Sequence, residues 1–191
     1  MAGPTVFLDA CVLFPTVVRR ILLGAAAAGL YAPRWSARVL DEWQIAIARQ
    51  QGAGAEDEVL AARSAMARDF PEALTETDAD IAATLTLPDP GDVHVAAAAA
   101  GSDVLLTFNL SDFPRRPMAG LGVDARHPDG FLWELWSEAP EDLSRAVNTA
   151  LDQTGVERNR LRAVLKRARL PRLGKAIESI SERGPSEGSG L

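Results

Sequence analysis

The chain has one cysteine, Cys11, and two histidines in 191 residues. A single cysteine excludes an intramolecular disulfide and fits a reducing cytoplasm. One thiol and two imidazoles nearly exclude a zinc site built from Cys and His. Any metal would therefore be a hard cation on oxygen ligands. No apolar run is long enough for a membrane span, and the N-terminus leads directly into a strand-like segment, which reads as no signal peptide. Strongly basic character is also missing: the net charge is −6. What is present is a hydrophobic share of 47%, ample for the core of one domain. Charge is unevenly spread. Residues 1–140 carry 10 Lys/Arg and 19 Asp/Glu, whereas 156–175 hold eight basic residues against Glu157 alone. The plain reading of that run is a solvated helix face; the alternative is contact with RNA phosphates or an acidic partner.

The stretch 87–114, LPDPGDVHVAAAAAGSDVLLTFNLSDFP, sets acids among apolar residues. It reads as an acidic loop, a buried helix from Asp92 to Ala100 ended by Gly101, a strand over 104–108, and a second acidic loop. The helix is apolar nearly all round; His94, opposite Asp92, is assigned to the surface. Elsewhere the pattern predicts a strand over 5–9 ending at Asp9, then a helix from Pro15–Thr16 that Gly29 stops. A second short strand is expected at 30–33. Ser36 caps a helix to about Gln50 with Val39, Leu40, Trp43 and Ile47 on one stripe. Glu42 lies at the edge of that stripe and Asp41 towards solvent. Further helices are expected over 56–69, 128–136, 141–152, 157–169 and 172–182, with a strand at 123–125. Asp78 or Asp80 caps a short helix in the weakly patterned 72–86 region.

Strands alternating with helices predict a parallel α/β sheet. In such sheets functional groups collect outside the carboxyl ends of the strands. Asp9, Asp92 and the 109–112 loop should converge there, with Glu42 joining if its helix packs over that edge. Clustered carboxylates repel one another, and a divalent cation is the usual remedy. Mg²⁺ or Mn²⁺ in such a site suits phosphodiester hydrolysis by activated water. Each residue also has a plainer role: Asp9 as an acceptor for backbone N–H groups, Asp92 as a helix cap, Glu42 as a solvated helix residue, Asp112 as a turn former, Thr107 as a local hydrogen-bond donor.

FLDACVL with Asp9, VLDEW with Glu42, LPDPGDVHVAAAA with Asp92, and LLTFNLSDF with Thr107, Asn109 and Asp112 together resemble PIN-domain ribonucleases of the VapC-type toxin branch. The resemblance spans about residues 4–135. It implies a three-layer α/β/α fold around a parallel sheet, with 1–138 as the nuclease domain. Residues 139–183 would form a helical C-terminal extension and 184–191 a flexible tail. It implies Mg²⁺- or Mn²⁺-dependent RNA cleavage, with Asp9, Glu42 and Asp92 as the first three metal-binding, catalytic acids. Many members carry Asp two residues after the Thr; Asn109 stands there, and Asp112 is taken as the fourth acid with Asn109 beside it. Asp89 is a supporting acid, either behind the metal ligands or loop-forming. In toxin members the resemblance also implies a cognate antitoxin as partner, and dimers are common among them. Arg19, Arg20 and Arg34 are candidate phosphate contacts. The other readings are a non-catalytic PIN-fold binding module for RNA or protein, and an RNA-processing nuclease without an antitoxin.

Overall fold

A computed structural model describes residues 3–183; the tail expected at 184–191 lies outside them. Five parallel strands form one sheet: β1 (Thr5–Leu8), β2 (Ala32–Ser36), β3 (Leu74–Thr75), β4 (Val104–Leu106) and β5 (Asp124–Arg126), in the order β3-β2-β1-β4-β5. Eleven helices are described with them: α1 (Ala10–Leu13), α2 (Thr16–Ala27), α3 (Ala37–Gln51), α4 (Glu56–Asp69), α5 (Ala79–Thr84), α6 (Val93–Ala99), α7 (Arg115–Gly120), α8 (Pro128–Glu138), α9 (Pro140–Gln153), α10 (Leu161–Arg167) and α11 (Pro171–Arg183). Helices flank the sheet to give the expected three-layer α/β/α fold. Among the described residues, no helix is long and apolar enough to cross a membrane.

The middle strands are continuous apolar runs because both faces of the sheet are covered. Val6, Phe7, Leu8, Leu105 and Leu106 are fully buried, each burial stabilising by about 1.5–3 kcal/mol. β1 pairs Phe7 with Leu105 of β4 and with Arg34 of β2, so it sits at the centre. All strands run the same way, which brings Asp9 after β1 and Thr107 after β4 to one edge.

Several boundaries differ from the pattern reading. The second strand occupies Ala32–Ser36 instead of 30–33, because Trp35 and Ser36 pair with Leu74 and Thr75 of β3. That two-residue strand has no periodicity from which it could be recognised. Ser36 does cap α3, its Oγ accepting from Val39 N–H at 3.3 Å. Of the two candidate caps for α5, Asp78 holds the position: its Oδ1 accepts from the N–H groups of Asp80 and Ile81 at 2.9 and 3.0 Å. The short helices α1 and α7 were not foreseen. Strand β4 stops at Leu106, and the 157–169 helix begins only at Leu161, after a 3-10 turn at Arg158–Arg160.

The helices beyond 139 share the same core. Leu143, Val147 and Leu151 of α9 are fully buried, and α9 lies against α2. Gly24 permits this approach: a Cβ there would sit 3.1 Å from that of Ala146. Asp129, buried in α8, accepts from the Arg172 and Leu173 N–H groups at 3.1 Å. It thereby caps α11 from a neighbouring helix and ties the last segment to the fold.

Candidate functional site

Asp9 leaves β1 and enters α1 in an extended conformation, with its N–H donated to Leu106 O at 3.1 Å. The side chain is only 7% exposed. Such a carboxylate requires hydrogen-bond partners, and two donors meet Oδ2. The Thr107 hydroxyl donates at 2.7 Å and the Cys11 thiol at 3.0 Å. Thr107, with no exposed surface, in turn accepts from Asn109 N–H at 3.0 Å, and Phe108 N–H donates to Cys11 Sγ at 3.2 Å. The Thr107 hydroxyl is thus committed to holding Asp9. Burial pushes the Cys11 thiol up to about 12, with the Asp9 charge acting in the same direction. Cys11 therefore stays protonated and works as a donor. It is only partly buried.

Glu42 reaches the same edge from α3. Its Oε1 accepts from His94 Nε2 at 2.9 Å and from Arg38 Nε at 3.2 Å. Asp41 points outward to Arg63 at 2.9 Å, as the stripe geometry predicts. His94 is the main correction: it is buried at 7% exposure and does not lie on the surface. Burial lowers its pKa, against the pull of Glu42. The neutral ring must carry its proton on Nε2 to donate to a carboxylate, which leaves Nδ1 buried with no partner among the described residues.

Asp89 takes the loop-forming one of its two expected roles, and Asp92 does not take the capping role. Asp89 shapes the loop, its Oδ1 accepting from Gly91 N–H at 2.7 Å and opening the 3-10 turn Pro90–Asp92. Asp92 precedes α6 but makes no side-chain cap hydrogen bond, so its carboxylate is not spent on the helix. Burial pushes that carboxyl from its ordinary 3.8 up to about 6. The charges of Asp9, Asp89, Asp112 and Glu42 push it the same way. Five acids from four separate stretches therefore share one field, with Asp92 at its focus. Asp112 contributes to that field, and its Oδ1 accepts from Ser111 Oγ at 3.4 Å. Asn109 is exposed and lines a neighbouring cavity instead.

Of the three arginines expected near phosphate, Arg19 is turned into the interior. Arg19 is buried, donates to Leu13 O at 2.7 Å and lies 4.7 Å over the Trp43 ring; burial lowers its pKa to about 10. It holds the start of α2 against α3. Arg20 lines a groove between α2, α4 and α9, and Arg34 donates to Pro33 O at 3.2 Å. Trp35 and Trp43 are core residues.

The donor set suits a hard cation: carboxylate oxygens, with the one sulfur held as a thiol. Among the described residues, no three His, Cys, Asp or Glu side chains are grouped closely enough to hold a metal ion as they stand. The acids thus surround Asp92 electrostatically without forming a closed shell. Cys11 and His94 are the two participants that pattern reading missed. For His94 a signal existed: an all-apolar buried helix buries its one polar residue too, and that residue then needs an inward partner such as Glu42. Comparison with family models, with curated proteins and with solved structures finds no match to this chain.

Proposed function

We propose that this chain is a metal-dependent endoribonuclease of the PIN type. The carrying observation is Asp92, whose carboxyl is raised to about 6 amid Asp9, Glu42, Asp89 and Asp112 at the carboxyl edge of a parallel sheet. Asp9, Asp92, Asp112 and Glu42 would hold Mg²⁺ or Mn²⁺, which when bound polarises a phosphate oxygen and lowers the pKa of a bound water. The protein residues have separable tasks. Thr107 and Cys11 keep Asp9 aimed. His94 and Arg38 set the direction of Glu42. Asp92 gives up its proton when the acids are occupied, so cation uptake strengthens as pH rises through 6. On the sequence resemblance we extend the reading to the toxin half of a type II toxin–antitoxin pair, with a cognate antitoxin as protein partner.

The test is expression of the chain alone, with RNA ends mapped for the unaltered protein and for Asp9→Asn. Cleavage and growth inhibition should both disappear in the variant, and undiminished cleavage refutes the site. A small adjacent gene for a DNA-binding protein supports the toxin reading over an RNA-processing nuclease without an antitoxin. The acids' open spacing and Asn109 in place of a carboxylate favour a second reading, a PIN-fold binding module without turnover. Calorimetric titration with Mn²⁺ beside a nuclease assay separates the two, because binding without cleavage selects the module.

A further inference from the structure

A cavity of about 390 Å³ opens beside the acid edge, with Cys11 and Asn109 in its wall. Its lining is mostly apolar, from Phe14, Pro15, Ala46 and Phe108, and the segment 167–169 completes it. The size falls in the range of small-ligand sites. Arg169 is the unusual residue here. It stands one residue past the C-cap of α10, where Leu170 N–H returns to Leu165 O at 2.8 Å and Arg169 N–H to Lys166 O at 3.1 Å. That turn requires a left-handed residue, normally glycine. Arg169 adopts φ 62° and is the one non-glycine residue with positive φ among those described. Glycine would serve the turn at less cost, so the turn itself does not call for the side chain. The guanidinium lies 4.5 Å over the Phe108 ring, with Nη2 donating to Phe108 O at 3.2 Å. Phe108 follows Thr107, the residue that holds Asp9. A flat cation is thereby braced one residue from the acid site, with Arg167 beside it, in a protein whose first 140 residues are net acidic.

We propose that this cavity takes one nucleobase of a bound RNA strand, with the Arg169 plane as its stacking surface and the strand continuing over Asp9 and Asp92. The inference rests on the nuclease reading and adds a binding subsite to it. The occupant must be flat and partly apolar to suit a cavity lined by Phe14, Phe108 and a guanidinium. It must be joined to an anion to balance Arg167 and Arg169. It must also reach the acid edge through a wall shared with Asp9's thiol partner. A nucleotide within a strand meets all three conditions, since bases stack on guanidinium planes and Asn109 offers a donor and an acceptor to a base edge.

The experiment titrates the Asp9→Asn chain, in Mg²⁺, into a fluorescein-labelled single-stranded hexaribonucleotide and reads anisotropy. The same oligonucleotide is then tested with one abasic residue at each position in turn. One position should stand out, its abasic form binding about ten-fold more weakly, as expected for one stacked base. Adding Arg169→Gly, which suits the left-handed backbone, or Ala46→Phe, which fills the cavity from its lining, should erase the contrast between normal and abasic RNA at that position. Melting curves check that both variants are folded. No position dependence, or a dependence that survives both substitutions, overturns the subsite. Cleavage by the unaltered chain is measured in parallel. Cleavage without the position effect sinks the subsite alone, whereas neither binding nor cleavage sinks the nuclease reading as well.

Discussion

Neutralising Asp92 should make the protein more stable while disabling it. The carboxyl is raised from 3.8 to about 6, by burial first and by Asp9, Asp89, Asp112 and Glu42 next. A folded-state pKa above the unfolded value means that the folded chain binds the proton more tightly. Below about pH 3.8 both states are protonated and the group contributes nothing. As pH rises through 4 to 6 the fold loses stability, and above about 6 the full penalty is present. A shift of this size on a fully buried group corresponds to about 3 kcal/mol. Asp92 is half-buried, and screening reduces the penalty to about 1 kcal/mol. For a chain of this length that is a gain of roughly 2–4 °C in melting temperature for Asp92→Asn at pH 7. The assay is thermal unfolding of both proteins from pH 3.5 to 8 in EDTA. The curves should converge near pH 4 and separate above it. Adding Mn²⁺ should stabilise the unaltered chain more than the variant, since a cation bound only to the folded state adds stability. An Asp92→Asn protein less stable at pH 7, or one with a gain that does not vary with pH, refutes the crowding of charge on which the site rests.

Thr107→Val keeps the shape but leaves Asp9 with the Cys11 thiol alone and removes the acceptor for Asn109 N–H; urea unfolding should show a loss of about 2–3 kcal/mol. RNA cleavage should fall with it, because Asp9 loses its shorter hydrogen bond. Asp129→Ala removes the cap of α11, and a loss of about 1–2 kcal/mol is expected. Hydrogen exchange should show α11 amides unprotected while β1 and β4 remain protected. Gly24→Val drives a branched side chain into Ala146 of α9, and overpacking should cost about 1–3 kcal/mol in the same urea assay.

Local signals reached the sheet through its longest apolar runs. TVFL and VLL had to be buried strands, and parallel order then placed Asp9 and the 107–112 loop on one edge. The stripe of α3 separated Glu42 from Asp41 because helical period decides which acid faces inward. The same kind of signal failed at β3, whose two residues exist as a strand only because β2 offers them a ladder. It failed again at Arg19. A charged residue reads as surface by composition, yet the Leu13 carbonyl and the Trp43 face receive its guanidinium in the interior. Charge alone does not reveal such partners, since they lie on other elements.

By itself, the sequence determined the alternation of strand and helix and the parallel class, because hydrophobic period is a local property. Tertiary structure alone decided how each acid is held. Thr107 and Cys11 lie 98 and two residues from Asp9, and His94 lies 52 from Glu42. Only the folded chain brings those donors within hydrogen-bond reach. It also assigned loop shaping to Asp89 and left the Asp92 carboxylate uncommitted, with four like charges acting on it. That division arises because a hydrogen bond depends on angle and distance between elements, whereas a sequence pattern carries only spacing along one.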